Sequence, residues 1–176
     1  MAAARTAVQE FATILAQQKT LTEAQSLSLV DDFSDRSIDA IVDFLLEEGL
    51  ADKEQVLQAL SAFYKTPFLD VSGYLFEHNL VHDFPVDFLK SHCAIPMSDE
   101  NDIIVVITNN PNQEGLKEKV EQYTDSIVEC WVGIQQDIFD AIEEFSVKAV
   151  TEDTFEADDQ LEDEENNVRD QLNNLE

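Results

Sequence analysis

The chain has 176 residues, enough for one domain or for two small domains and a tail, and its hydrophobic content of 44% is enough to build a core. Its formal net charge of -28, with 38 acidic residues against 10 Lys and Arg, argues against binding to nucleic acid or anionic lipid, because both require positive charge on the protein. A basic protein partner fits this charge better.

The amino terminus leads into an amphipathic segment rather than a signal peptide. No apolar run approaches the ~20 residues that a membrane-spanning helix needs. We therefore predict a cytoplasmic protein without direct membrane insertion.

Helices dominate the first third of the chain. Apolar residues at helical spacing predict a first helix over about residues 6–18. Thr22 is predicted to cap a second helix, with Gln25 as its capping-box partner. Ser34 is predicted to begin a third helix, and Gly49 ends it, because a glycine just beyond a helix accepts the left-handed conformation found there.

A fourth helix begins at Asp52, with Gln55 in the capping-box position. This start lies 30 residues after that of the second helix. The same offset pairs further residues that hold equivalent positions in the two helix pairs: Phe11/Ile41, Ile14/Phe44, Leu15/Leu45, Leu21/Ala51, Leu27/Leu57, Val30/Leu60 and Phe33/Phe63. The pattern indicates either a duplicated helix pair or chance similarity between amphipathic pairs. Both interpretations predict a small helical subdomain with a shared core.

The hydrophobic period changes after Pro67. Short apolar runs predict strands at 68–71, 94–97, 103–107 and 126–132, with a turn at 98–102, and helices at about 84–89, from 110 to 123 and at 135–147. A helix between the third and fourth strands makes those two strands parallel, with a right-handed connection.

The predicted fold class is therefore α/β (α+β), in three parts. Residues 1–65 form a helical subdomain, residues 66–148 a small mixed α/β sheet subdomain, and residues 149–176 a disordered acidic tail. From Thr151 to Glu176 there are 11 acidic residues and one basic residue, Arg169, and such self-repulsion without a sustained apolar period favours disorder.

No residue pattern indicates catalysis. None of the four glycines precedes Lys-Ser or Lys-Thr, so there is no Walker A loop, and no nucleotide-binding residues are predicted. His78 and His82 could lie on one face of a helix, but too few further ligands are nearby for a zinc site. Cys93 and Cys130 are predicted to be buried, reduced thiols. We predict no catalytic residues, no metal and no cofactor, and the isolated chain is not expected to be an enzyme.

The order of elements resembles the N-terminal domain of the type II secretion and type IV pilus assembly ATPases, over about residues 34–147. The matching segments are FLLEEGLADKEQVLQAL at 44–60, KTPFLD at 65–70, AIPM at 94–97, VVITNNP at 105–111 and IFDAI at 138–142. In that family an acidic linker resembling residues 151–176 leads to the ATPase core.

The resemblance implies a non-catalytic domain that docks the motor to the cytoplasmic part of an inner-membrane platform protein. The protein would then be recruited to the inner face of the bacterial inner membrane. As partner-binding residues we predict Arg36, Phe44, Leu45 and Gly49.

Some members of that family bind cyclic di-GMP through a duplicated motif that begins Arg-Leu-Gly. When Gly49 is set on the family's later glycine, Ala40 takes the place of the arginine and Val42 that of the first glycine. In the first copy Glu10, Ala12 and Lys19 occupy these three places. Together with the charge of -28, these departures predict that cyclic di-GMP is an unlikely partner. A second-messenger sensor and a free-standing adaptor remain the alternatives, and an enzyme with an unrecognised site comes last.

Overall fold

A computed structural model describes residues 6–147, with the exception of the side chains of residues 98–100. The predicted acidic tail, residues 149–176, lies outside the described residues. Residues 6–142 belong to one compact unit. Within the described residues no helix is both long and apolar enough to cross a membrane.

Four helices occupy the first part of this unit: α1 (Ala7–Gln17), α2 (Glu23–Asp32), α3 (Ile38–Glu47) and α4 (Lys53–Tyr64). The predicted capping boxes form. The Thr22 hydroxyl accepts from the backbone of Gln25, whose side chain accepts from the backbone of Thr22, and Asp52 and Gln55 form the same pair. These reciprocal bonds satisfy amide groups that a helix start otherwise leaves without partners.

The cap of α3 differs from the prediction. Ser37, rather than Ser34, accepts a hydrogen bond from the backbone of Ala40. The backbone amide of Arg36 bonds to the carbonyl of Phe33, which holds the preceding residues in a turn and delays the start of the helix. Gly49 follows α3 with φ of 66°, as predicted.

The ends of α1 and α3 repeat the same hydrogen bonds with an offset of 30 residues. After α1, the amides of Thr20 and Leu21 both bond to the carbonyl of Leu15; after α3, those of Leu50 and Ala51 both bond to the carbonyl of Leu45. Lys19 lies 30 residues before Gly49 and shares its left-handed conformation, with φ of 58°.

A small mixed sheet with flanking helices follows. Its elements are α5 (His78–His82), α6 (Val86–His92), β1 (Ala94–Glu100), β2 (Ile103–Thr108), α7 (Leu116–Val120), β3 (Ile127–Val132) and α8 (135–147). The strand order is β1-β2-β3, with β1 antiparallel and β3 parallel to β2. The predicted crossover and the α+β class are therefore confirmed.

The hairpin between β1 and β2 is tighter than predicted. Its turn consists of Asn101 and Asp102, which both have positive φ, as a type I′ turn requires. The strand predicted at 68–71 is reduced to one parallel bridge between Phe68 and Val132. The carboxylate of Asp70 accepts from the amide of Ser72 and turns the chain away after that bridge.

The helix predicted over 110–123 is also shorter, since α7 begins only after Gly115. Gly115 has φ of 75°, and the Asn110 side chain accepts from the amide of Asn112 in an Asx turn, so the first residues of this segment form a loop. The helical core includes Val132 and Ile134, which places the end of β3 directly against the four helices.

Candidate functional site

A polar cleft of about 640 Å³ lies where the start of α3 meets the carboxyl end of β2. We call it the α3–β2 cleft. Its principal polar and aromatic side chains are Arg36, Asp39, Tyr64, Lys90, His92, Asn109 and Gln113. The carboxyl end of a parallel strand is where α/β folds commonly place ligands.

Asp39 and Asn109 join the two walls of the cleft. The side-chain amide of Asn109 donates to Asp39 Oδ2 at 2.9 Å. Thr108, which is fully buried, orients the following chain, because its hydroxyl accepts from the backbone amide of Asn110. On the far side, the Gln113 amide donates to the carbonyl of His92.

Burial governs the acid–base behaviour of the cleft. Desolvation raises the pKa of Asp39 above its ordinary value, although the hydrogen bond from Asn109 opposes the change. Burial also raises the pKa of Tyr64 and that of Cys93 to about 12 each, and the charge of Asp39 adds to both increases. A neutral thiol and a neutral phenol are poor nucleophiles, so neither is equipped for catalysis near pH 7.

Two cations line the described part of this cleft, against one carboxylate. Arg36 and Lys90 lie on its lining, and Asp39 is the one carboxylate among the described residues that line it. In a chain with 38 acidic residues, a lining with more cations than carboxylates differs from the average composition. Such a cleft can hold an anion, because guanidinium and ammonium groups bind phosphate and carboxylate oxygens.

A second surface feature lies between α2 and α3, and we call it the α2–α3 groove. It has a volume of about 250 Å³. Leu21, Leu29, Phe44 and Leu50 provide its apolar surface, and Ala24, Gln25, Ser28 and Asp32 its outer wall.

The ring of Phe33 lies between two of the four predicted partner-binding residues, Arg36 and Phe44. The guanidinium carbon of Arg36 lies 5.9 Å from the ring centre of Phe33, and this ring is 5.0 Å from that of Phe44. Arg36 lines the α3–β2 cleft and Phe44 lines the α2–α3 groove. The other two are placed differently: Leu45 is fully buried in the core, and Gly49 is exposed at the end of α3.

The histidines and cysteines considered in the sequence analysis lie outside any metal site or disulfide among the described residues. His78 and His82 lie on one face of α5 with their rings stacked at 5.9 Å. Among the described residues, no group of three His, Cys, Asp or Glu side chains could hold a metal ion. Cys93 and Cys130 are buried and free, as predicted.

Sequence reasoning did not identify Asp39, Lys90 or Asn109 as cleft residues. Asn109 carried a usable signal, because polar residues directly after a buried parallel strand are common at binding sites. Lys90 carried none, since it reaches the cleft only through the packing of α6.

Comparison with known proteins gives a family and a fold. The family model described as the MshEN domain matches residues 64–152. No curated protein sequence matches the chain significantly.

Two solved structures share the fold at 17% sequence identity. One is MshE with cdg (cyclic di-GMP), at a TM-score of 0.57 over 77% of this chain and 97% of that one. The other is the N-terminal domain of XpsE, at a TM-score of 0.53 over 81% of this chain and 97% of that one.

These matches overturn the prediction that cyclic di-GMP is an unlikely partner, because a protein of this fold was solved with that ligand. The prediction rested on departures from the family motif and on the net charge of -28, and a sum over the whole chain does not describe the charge at one cleft. Residues 151–176 alone contribute -10 of that charge, whereas the described lining of the α3–β2 cleft carries Arg36 and Lys90 against one carboxylate, Asp39.

Proposed function

The chain belongs to the MshEN domain family, the N-terminal domains of secretion and pilus assembly ATPases, and we propose from this membership that it docks such a motor to the cytoplasmic domain of an inner-membrane platform protein. The matched family is regulatory and distinct from the catalytic ATPase domain. Docking would recruit the protein from the cytoplasm to the inner face of the membrane.

The observation that carries the docking proposal is the α2–α3 groove. Four apolar side chains line an open depression on the helical part of the domain, and apolar surface of this kind is where protein partners gain most of their binding energy. Phe44, one of the predicted partner-binding residues, lies in it.

Binding of residues 1–176 to the platform protein's cytoplasmic domain, measured by calorimetry, tests this function. We expect saturable binding that weakens as salt is added, because the domain is strongly acidic. An absence of binding at high micromolar concentration would contradict the proposal.

A second function, the binding of cyclic di-GMP, is favoured by the α3–β2 cleft. Arg36 and Lys90 offer two cations for two phosphates, and Asn109 and Gln113 offer amide groups for the bases. The ligand seen with MshE makes this compound the first to try. The motif residues at Ala40 and Val42 differ from the family pattern, so the cations of the cleft would have to supply the phosphate contacts.

Calorimetric titration with cyclic di-GMP tests the second function. Arg36→Ala or Lys90→Ala should weaken binding about tenfold each, the usual cost of a hydrogen bond to a charged group. Lys119→Ala is the matched control, because Lys119 is exposed on α7 and does not line the cleft. A flat titration of the unmodified chain would exclude cyclic di-GMP, and equal losses in all three variants would exclude this cleft.

A further inference from the structure

The α2–α3 groove has an apolar floor and an acidic residue on its wall, and these two features indicate what kind of partner it binds. We propose that it binds an amphipathic helix of a partner protein, with aliphatic side chains in the groove and Lys or Arg on the flanks. The inference rests on the proposed docking function and names the chemistry of the surface that docks.

The floor of the groove suits the apolar face of a helix. Leu21 and Leu29 are buried beneath it, and Phe44 and Leu50 remain half-exposed along the α3 side. Its volume of about 250 Å³ is too small for a whole helix but accepts side chains spaced one turn apart. Covering these groups removes apolar surface from water at little cost in ordering, because both walls are already regular helices.

The chain segment that forms the groove is strongly acidic. From Leu21 to Leu50 the chain has eight Asp and Glu residues and one basic residue, Arg36. Asp32 lies on the groove wall itself. A partner with basic flanks is therefore attracted and oriented, and an acidic one is repelled.

Charge also decides among the possible occupants. A second copy of this chain would bring another -28, and the chain's own residues 151–176 carry -10. Both would meet an acidic surface with acidic charge, and the like-charge contacts would cost affinity. A basic segment from another protein is the occupant that this surface favours.

The geometry favours a helix over an extended peptide. An extended peptide gains most of its affinity by adding its backbone to an exposed strand edge. Both walls of this groove are helices, whose own backbone groups are already paired. A helix satisfies its own hydrogen bonds and needs only side-chain contacts.

The test uses a fluorescein-labelled synthetic helix with Leu at positions i, i+3, i+4 and i+7 and with Lys elsewhere, titrated with residues 1–176 and followed by anisotropy. A scrambled peptide of identical composition keeps the charge and loses the apolar stripe. Three variants of the protein are compared with the unmodified chain. Ser28→Trp fills the groove and Asp32→Lys reverses the charge on its wall; Asp31→Lys is the matched control, because Asp31 is exposed beside Asp32 and does not line the groove.

We expect the scrambled peptide to bind at least about tenfold more weakly than the patterned helix, and Ser28→Trp to weaken binding of the patterned helix about as much. Asp32→Lys should weaken that binding about fivefold, and Asp31→Lys should change it less than about twofold. Equal binding of the scrambled peptide, or equal losses at Asp31 and Asp32, would overturn the inference. Titration of the same variants with the platform domain separates the two ideas. If the platform domain binds Ser28→Trp normally, the groove proposal is wrong and the docking proposal stands. If the platform domain does not bind the unmodified chain, the docking proposal is wrong, and the peptide titration remains the test of the groove.

Discussion

The side-chain amide of Asn109 donates a hydrogen bond of 2.9 Å to Asp39 Oδ2, across 70 positions of sequence. This bond connects the start of α3, in the helical part, to the residue that follows β2 in the sheet. It also opposes the rise in the pKa of Asp39 that burial causes. The two walls of the α3–β2 cleft are thus joined by one carboxylate–amide contact.

Removing the donor should therefore destabilise the domain. We expect Asn109→Ala to lower the free energy of unfolding by about 1 kcal/mol at pH 7, because it leaves a partly buried carboxylate with less compensation. Urea denaturation measures the change, and Asn112→Ala, at an exposed loop position nearby, serves as the control. Equal effects of the two substitutions would show that the contact with Asp39 contributes nothing to stability.

Asp39 itself should make stability depend on pH. Its pKa is raised in the folded state, so folding favours the protonated form. The contribution of this group to the free energy of unfolding is therefore fully present below its ordinary pKa of 3.8. That contribution is lost as the pH rises through the pKa of the folded state. We expect Asp39→Asn, which can still accept from Asn109, to be more stable than the unmodified chain at pH 7. That advantage should shrink as the pH falls toward 4. A constant difference between pH 4 and pH 7 would contradict the assignment.

Helix caps could be predicted from the sequence where the capping side chain bonds to residues of its own helix. Thr22 with Gln25, and Asp52 with Gln55, cap helices through contacts three residues apart, and both pairs were predicted. Ser34 and Ser37 are equally good caps by type, and the choice between them depends on a backbone turn at Phe33 that no local pattern reveals.

The cleft could not be predicted in this way. It brings together Arg36, just before α3, Asp39 in the first turn of α3, and Lys90 and Asn109 from the sheet region. Only tertiary packing sets the distances between them. The use of net charge against cyclic di-GMP was unsound for a related reason. The electrostatic potential at a site depends on its near neighbours, whereas a sum over the chain gives every charge equal weight.

The repeated helix ends give a paired prediction. Lys19 and Gly49 occupy equivalent left-handed positions after α1 and α3. A side chain in this conformation costs about 1 kcal/mol, so Lys19→Gly should raise the free energy of unfolding by about that amount and Gly49→Lys should lower it. Thermal or urea unfolding measures both. Changes of the same sign would show that the two helix ends are not energetically equivalent.

The cysteines should be protected in the folded domain. Burial raises the pKa of Cys93 to about 12 and also raises that of Cys130. The thiolate is the reactive form, so at pH 8 both thiols should react with Ellman's reagent far more slowly in buffer than in concentrated urea. Cys93→Ser and Cys130→Ser variants assign each phase. Rapid reaction of Cys93 in buffer would contradict the buried position at the cleft.

Gly133 should be intolerant of any side chain. It follows β3, and a Cβ built there would lie 2.7 Å from Ile107 Cγ2 and 3.3 Å from Ile138 Cδ1, both in fully buried side chains. We expect Gly133→Ala to lower the free energy of unfolding by about 1–3 kcal/mol, the usual cost of overpacking a core. Ile107→Ala removes the nearest of these atoms, so the double variant should lose less than the sum of the two single losses, as measured in a urea denaturation cycle. Strict additivity would mean that Gly133 is required for a reason other than its approach to Ile107.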